Sequence, residues 1–320
     1  MAINEPTNAT HWSEKLQSVP KPVIFGILLL FSTVPLFFPV QLPNKPIDAS
    51  IDFYAQAMKI PDGGKIILCS DWTNSTRGES KGEMEALLRI LMRKHIKFVL
   101  LSIGDVQAPQ VAKDTIREVS DEEVAKGGTA YKEFEDFVNL GYYAAAEGTI
   151  LAINNKVLSV AQGKKDFPVG AGPKDALLSP VFSGIKTVSD FNMFILVTAS
   201  STNRTILERI TNCPMMYMVT GVMVPENTSY YASGQLKGLC GGVKGVFDLE
   251  NLMEYGINNP GPHEIESEKY KGESIPGWPG KTNTGKGTAY YFALHFALAL
   301  LVVAVAIGNL GMFVAKRRSK

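Results

Sequence analysis

Two uncharged apolar segments stand near the ends of the chain, at residues 22–40 and 290–315. A helix needs about 20 apolar residues to cross the hydrocarbon core of a bilayer, so each segment is long enough to span one. We therefore predict transmembrane helices at residues 22–41 and 290–315. The alternative for the first segment is a cleaved signal peptide, but a long polar stretch precedes it and no small-residue cleavage site follows it.

Basic residues flank these segments on the sides away from the middle of the chain: Lys15, Lys21, Lys316, Arg317, Arg318 and Lys320. Basic residues close to a span stay in the cytoplasm. We expect a cytoplasmic N-terminal tail at residues 1–21 and a basic cytoplasmic tail at residues 316–320. Everything between the two spans is then extracytoplasmic, and the lipid bilayer is the first predicted partner.

Between the spans, apolar runs of strand length alternate with segments of helical period. We predict strands at residues 65–70, 97–103, 134–140, 191–198 and 214–219, with an amphipathic helix at residues 81–95 after the first of them. Strands separated by helices are typical of a parallel sheet with helices on both faces. The predicted class is α/β, an extracytoplasmic doubly wound, mostly parallel, Rossmann-like or flavodoxin-like domain over residues 42–255.

A Gly/Pro-rich stretch at residues 256–289 follows this domain, and we predict that it is a juxtamembrane tether. Within it, residues 280–286 match the first seven positions of a phosphate-binding P-loop. Gly287 stands where the loop needs Ser or Thr, and no strand precedes it, so the required context is missing. We expect a flexible linker here, and no cofactor.

The composition argues against two classes of function, nucleic-acid binding and metal binding by cysteines. The chain has 32 basic and 31 acidic residues, a formal net charge of +1, which is not the strongly basic balance of a nucleic-acid binder. Cys69, Cys213 and Cys240 have no metal-ligand spacing, and whether Cys213 and Cys240 pair stays open. We predict neither a bound metal nor a nucleic-acid partner.

Polar side chains follow the predicted strands, where ligands bind in open parallel sheets. The candidate ligand-binding residues are Ser70, Asp71, Ser75, Thr76, Arg77, Asp105 and Ser200. Hydroxyls, carboxylates and a guanidinium could hold a small polar molecule in one crevice near Asp71. The alternative is that these residues cap helices and form turns.

Glycines are frequent in residues 233–255, which we predict to be one long helix. Each glycine costs about 1 kcal/mol relative to alanine inside a helix, so their number indicates that another backbone approaches closely. The candidates are Gly234, Gly238, Gly241, Gly242 and Gly245. Their partner is the domain's own sheet or a neighbouring subunit.

The second apolar segment contains His295, Gly308 and Asn309. Small and polar residues in a span usually face another helix. We therefore expect self-association or contact with other membrane-protein subunits.

Three functions follow from these patterns. The first is a non-catalytic scaffold or accessory subunit of a membrane complex, which acts through the extracytoplasmic domain. The second is a small-ligand receptor that binds near Asp71. The third is an extracytoplasmic enzyme of unknown reaction, which we favour least because no nucleophile elbow is present and the middle of the chain holds only His95 and His263.

Overall fold

The computed structural model describes Trp12 and residues 19–37, 44–261 and 263–318. Two compact units divide the chain: residues 1–42 with 288–320, and residues 43–287. Most of the predicted N-terminal tail, the outer end of the first predicted span at residues 38–41, and the last two residues of the basic tail lie outside the described residues.

The secondary structure of the second unit alternates between strands and helices. The strands of its main sheet are β1 Lys65–Asp71, β2 Lys97–Ser102, β3 Phe137–Tyr142, β4 Met193–Thr198, β5 Met215–Val219 and β6 Leu236–Gly241. The helices, in chain order through both units, are α1 Lys21–Phe37, α2 Asp48–Lys59, α3 Arg77–Arg93, α4 Ala108–Ala125, α5 Ala146–Ala161, α6 Asn203–Arg209, α7 Val224–Ala232, α8 Gly242–Tyr255 and α9 Lys286–Arg318. A small hairpin pairs Lys165–Asp166 with Lys174–Asp175.

The six strands lie in the order β3-β2-β1-β4-β5-β6, and every neighbouring pair is parallel. This confirms the predicted α/β, Rossmann-like class. The chain moves outward from β1 toward β3 and then outward from β4 toward β6. The carboxyl ends of β1 and β4 are therefore the point where strand order reverses, and ligands of such sheets bind there.

Both faces of the sheet are buried, which explains the continuous apolar runs of its strands. Ile66 and Leu68 of β1 belong to one apolar core, with α2, α3, α4 and α8. Ile67 and Cys69 point to the other core, with α5 and α6. Alternate side chains of β1 therefore point into two different apolar cores, and neither face of this strand is exposed to solvent.

The expectation of one long helix at residues 233–255 is wrong. Residues 236–241 form strand β6 at the sheet edge, and only α8 is helical. The glycines of this stretch make a helix unfavourable. In the strand, its apolar side chains Leu236, Leu239 and Cys240 are buried at the edge of the sheet. A Cβ atom at Gly238 would lie 2.4 Å from the Cα of Phe53, so α2 is the backbone that approaches the glycine.

Parts of the predicted tether at residues 256–289 pack against the α/β domain. Ile257 and Ile275 exchange antiparallel backbone hydrogen bonds of 2.8 and 2.9 Å. The Trp278 amide donates to the Met253 carbonyl at 2.6 Å. Ile257, Ile265, Tyr270 and Ile275 of this stretch are buried in the apolar core that α2, α3, α4 and α8 share.

Two element boundaries also differ from the prediction. Helix α3 begins at Arg77 instead of residue 81, after a single 3-10 turn in which Thr73 and Thr76 form a capping box. Ser80 and Glu83 have the same three-residue spacing as a capping box, but both lie inside α3 and do not begin it. The third strand begins at Phe137 instead of residue 134.

One described helix is long and apolar enough to cross a membrane, Lys286–Arg317 within α9, with a mean hydropathy of 2.5. Helix α1 is apolar but shorter. Within the first unit, the rings of Phe31 in α1 and Phe296 in α9 lie 6.1 Å apart. Membrane association thus has support from one helix, while the second span remains a prediction.

Candidate functional site

Asp71, the last residue of β1, lies buried at the point where strand order reverses. Its Oδ1 atom accepts hydrogen bonds from the Ser102 hydroxyl at 2.7 Å and from the amides of Ile103 and Gly104 at 2.9 and 3.0 Å. Its Oδ2 atom accepts from the Thr202 hydroxyl at 2.9 Å. This carboxylate therefore ties the loop after β2 to the loop after β4, across the strand between them.

The predicted residues Ser200 and Asp105 belong to the same polar cluster. The Ser200 amide donates to the Thr198 hydroxyl at 3.0 Å, and the Ser200 hydroxyl lies 3.0 Å from that of Thr202. Asp105 accepts from the Gln107 amide at 2.7 Å, just before α4 begins. The structure thus brings Asp71, Asp105 and Ser200 to one edge, where each is bonded within the domain.

Ser75 and Thr76 belong to the 3-10 turn before helix α3, and Arg77 begins that helix. Within the described residues, none of the three forms a hydrogen bond with Asp71. The hydroxyls of Ser75 and Thr73 lie 2.8 Å apart, and the Thr76 hydroxyl donates to the Thr73 carbonyl at 3.2 Å. Arg77 is the first residue of α3 and is exposed. These three residues therefore fit the capping alternative.

Each oxygen of a carboxylate has about two lone-pair positions; three donors converge on Oδ1 of Asp71, and one reaches Oδ2, which can accept one more hydrogen bond. Other buried polar atoms at the same edge have no partner among the described residues: the Ser70 hydroxyl, the Trp72 indole N–H and the Thr220 hydroxyl. Such orphaned groups usually bind water or a ligand. Ligand binding by the predicted residues stays a prediction.

Two further carboxylates at this edge were not predicted as site residues. Glu79 Oε2 accepts from the Gly221 amide at 2.6 Å, and Glu83 Oε1 accepts from the Gly242 amide at 3.1 Å. Burial raises the pKa of Glu83 well above its usual range. Since Gly242 begins α8, an internal carboxyl group occupies a helix N-terminus where anionic ligands often bind. In the sequence, the four-residue spacing of Glu79 and Glu83 is the pattern that could have identified them, because it places both on one face of a helix.

A cavity of about 600 Å³ lies in another part of the domain, beside the first turns of α2. Its wall includes Asp52, whose carboxylate accepts from the hydroxyls of Tyr231 at 2.7 Å and Tyr270 at 2.8 Å. Lys269 pairs with the same carboxylate. The carboxylate of Asp52 is therefore satisfied by neighbouring side chains of the domain.

Neither a metal site nor a disulfide is found among the described residues. No group of three or more His, Cys, Asp or Glu side chains is placed there to hold a metal ion. Cys69, Cys213 and Cys240 are free thiols, and all three are buried. The open question about Cys213 and Cys240 is thus answered: they do not pair.

The predicted interface residues of α9 differ from one another. His295 Nδ1 lies 2.8 Å from the Tyr291 carbonyl, and the two rings meet edge to face with their centroids 4.2 Å apart, so this polar group is accommodated by its own helix. Gly308 has open space where a side chain would be. The side chain of Asn309 is exposed, and within the described part of the chain no hydrogen bond to it is found.

Comparison with protein-family models, with curated proteins and with solved structures finds no match for this chain. The class is therefore defined by the fold alone: an α/β protein with a six-stranded parallel Rossmann-like sheet and an apolar helix of membrane-spanning length.

Proposed function

We propose that this protein is a membrane-anchored, non-catalytic accessory or scaffold subunit whose α/β domain lies outside the cytoplasm. The observation that carries the proposal is Asn309, an exposed amide in an otherwise apolar helix, next to Gly308 with its open face. A polar side chain in a span usually faces another helix, because lipid offers it no hydrogen bond. A partner helix that packs against Gly308 would reach Asn309.

The polar chemistry of the α/β domain supports a non-catalytic role. Asp71 has four donors, and the N-terminus of α8 is occupied by Glu83. These are the two places where a Rossmann-like sheet most often binds and polarises a substrate. In this chain, both contribute hydrogen bonds to the fold.

The proposed topology has two spans, with α1 as the second anchor. Helix α1 is uncharged after its first residue, Lys21, and α9 ends in the basic residues Lys316 and Arg317. Basic residues at these two ends favour a cytoplasmic location for both. The domain between them would then be extracytoplasmic.

The test uses the full chain in a mild detergent, with an Asn309→Leu variant and a Val302→Leu control. Val302 is exposed on the same helix and keeps its apolar character in the control. We expect wild type and control to migrate as one assembly larger than the 34.9 kDa chain. Asn309→Leu should raise the dissociation constant of the assembly about tenfold, since interhelical hydrogen bonds contribute roughly 1–2 kcal/mol. A monomeric wild type, or an assembly unchanged by Asn309→Leu, contradicts the proposal.

A second candidate is a small-ligand receptor, favoured by the orphaned polar atoms of Ser70, Trp72 and Thr220. A polar ligand at the carboxyl edge would satisfy them. This function predicts that a metabolite raises the melting temperature of the full chain and that Thr220→Val removes the shift. Wild-type assembly together with no stabilising metabolite would favour the subunit over the receptor.

A further inference from the structure

The chain enters the α/β domain at the edge formed by the carboxyl ends of the strands. The Asn44 amide donates to Asp248 Oδ1 at 2.9 Å, and the Ile47 backbone amide donates to Asp248 Oδ2 at 3.1 Å. The Lys244 ammonium group donates to Asn44 Oδ1 at 3.0 Å. Lys244 and Asp248 lie in the first two turns of α8, which begins directly after β6. The entry point is therefore beside the carboxyl edge.

The chain leaves the domain at the same edge. A Cβ atom at Gly82, in the second turn of α3, would lie 3.3 Å from Cβ of Lys286. Lys286 pairs with Glu85 at 2.5 Å, and the Gly287 amide donates to Glu250 at 2.9 Å. Four residues earlier, Arg93 at the far end of α3 bonds Thr282 and Asn283. From residue 282 to 287, the chain thus runs toward the start of α3.

Only short pieces of chain separate these two points from the apolar segments. Tyr290 comes four residues after Lys286 in the same helix, a rise of about 6 Å. On the entry side, six residues stand between Phe37 and Asn44. Even a fully extended chain of this length spans at most about 25 Å. In a chain whose two segments are held in a bilayer, these lengths limit how far the entry and exit points can lie from the bilayer surface.

Two of the most exposed apolar side chains of the domain stand in loops of this edge. Val106 follows β2 and is 70% exposed, and Val222 follows β5 and is 84% exposed. Exposed apolar side chains at a membrane interface are stabilised when they enter the headgroup boundary. Neither valine is needed for the hydrogen bonds around Asp71.

We propose that the carboxyl edge of the sheet rests on the bilayer surface, with Val106 and Val222 in the lipid headgroup layer. This inference rests on the proposed anchoring. It places the orphaned polar atoms at Ser70, Trp72 and Thr220 on the membrane side of the domain. Any molecule that reaches them comes through the interfacial layer, and phospholipid headgroups are the nearest such chemistry.

The test places a fluorescent label at one position in each of three variants, Val106→Cys, Val222→Cys and Leu178→Cys. The native cysteines are buried, so a thiol reagent modifies the new position selectively. Leu178 is a matched control, because it is 77% exposed but lies at the opposite edge. The next residue, Ser179, bonds the Phe134 carbonyl ahead of β3, and Lys65 at the start of β1 donates to Pro180.

The labelled full chains are incorporated into lipid nanodiscs that contain a headgroup spin-labelled phospholipid, which quenches fluorescence at short range. We expect quenching of at least about twofold at positions 106 and 222, as for side chains in the interface, and little at position 178. Equal quenching at all three positions, or none at 106 and 222, overturns the inference while the anchoring stands. A chain that does not enter the discs overturns both.

Discussion

Asp71 in the α/β domain and Asn309 in the apolar helix α9 are both polar side chains, but only Asp71 has hydrogen-bond partners among the described residues. Asp71 is 3% exposed and has four donors within the α/β domain, whereas Asn309 is exposed on α9. Gly238 and Gly308 show the same contrast, because a backbone of the domain fills the space beside Gly238 and nothing fills it beside Gly308. A feature whose partner lies inside the domain explains the fold, and the open surroundings of Gly308 and Asn309 are the basis of the proposed contact with another helix.

The largest expected effect is that of removing the Asp71 carboxylate. Asp71→Ala leaves the Ser102 and Thr202 hydroxyls and two buried amides without their acceptor, so we expect a loss of about 3 to 5 kcal/mol in the free energy of unfolding. Chemical denaturation of the full chain in mild detergent measures it. Arg77→Ala at an exposed position should change stability by less than about 0.5 kcal/mol. Similar small losses for both variants would mean that the Asp71 network does not hold the edge together.

A smaller effect is expected for the glycine of β6. Gly238→Ala puts a methyl group 2.4 Å from the Cα of Phe53, and two backbones must separate to accept it. We expect a loss of roughly 2 to 3 kcal/mol, typical of overpacking. Gly308→Ala should leave the domain's melting temperature unchanged, because its Cβ has open space. If Gly308→Ala destabilises the domain as much as Gly238→Ala, the contrast between the two glycines is lost.

The smallest effect depends on pH and concerns Asp166 in the small hairpin. Burial and, as the second cause, the neighbouring carboxylate of Glu133 raise its pKa to about 6. The protonated form is therefore favoured by folding. Its contribution to stability is complete below the ordinary pKa near 3.8 and is lost as pH rises through about 6.

The measurement for Asp166 compares unfolding of wild type and Asp166→Asn between pH 4 and pH 8. Asparagine keeps the shape of the side chain and does not ionise. We expect wild type to lose about 1 to 2 kcal/mol relative to the variant over this range. A constant difference between the two proteins would show that Asp166 does not titrate in this window.

Much of the fold could be predicted because each strand carries its own local pattern. The apolar run 65–70 became β1 almost without change, and the runs 97–103, 191–198 and 214–219 became β2, β4 and β5. Strand β6 was missed because its sequence, Leu236–Gly241, is short and mixes glycine with apolar residues. The prediction of a helix took the free-energy cost of these glycines as a sign of a close backbone approach and not as a sign of a strand.

The candidate site was predictable in position and much less in chemistry. Asp71 and Asp105 do lie at the carboxyl edge, as parallel pairing requires. Their hydrogen-bond partners come from loops far apart along the chain, such as Thr202 for Asp71. Those distances depend on strand order, which no local pattern contains. Only the packed sheet could show that these groups bond to each other.

The order of apolar and polar residues by itself determined the α/β class, the apolar end segments and the place where polar loops gather. These properties depend on local periodicity and on length. The tertiary structure decided the strand order, the strand nature of β6, the partners of Asp71 and the packing of residues 256–287 against the domain. These depend on contacts between distant parts of the chain, whose free energy is gained only when the sheet and its helices have come together.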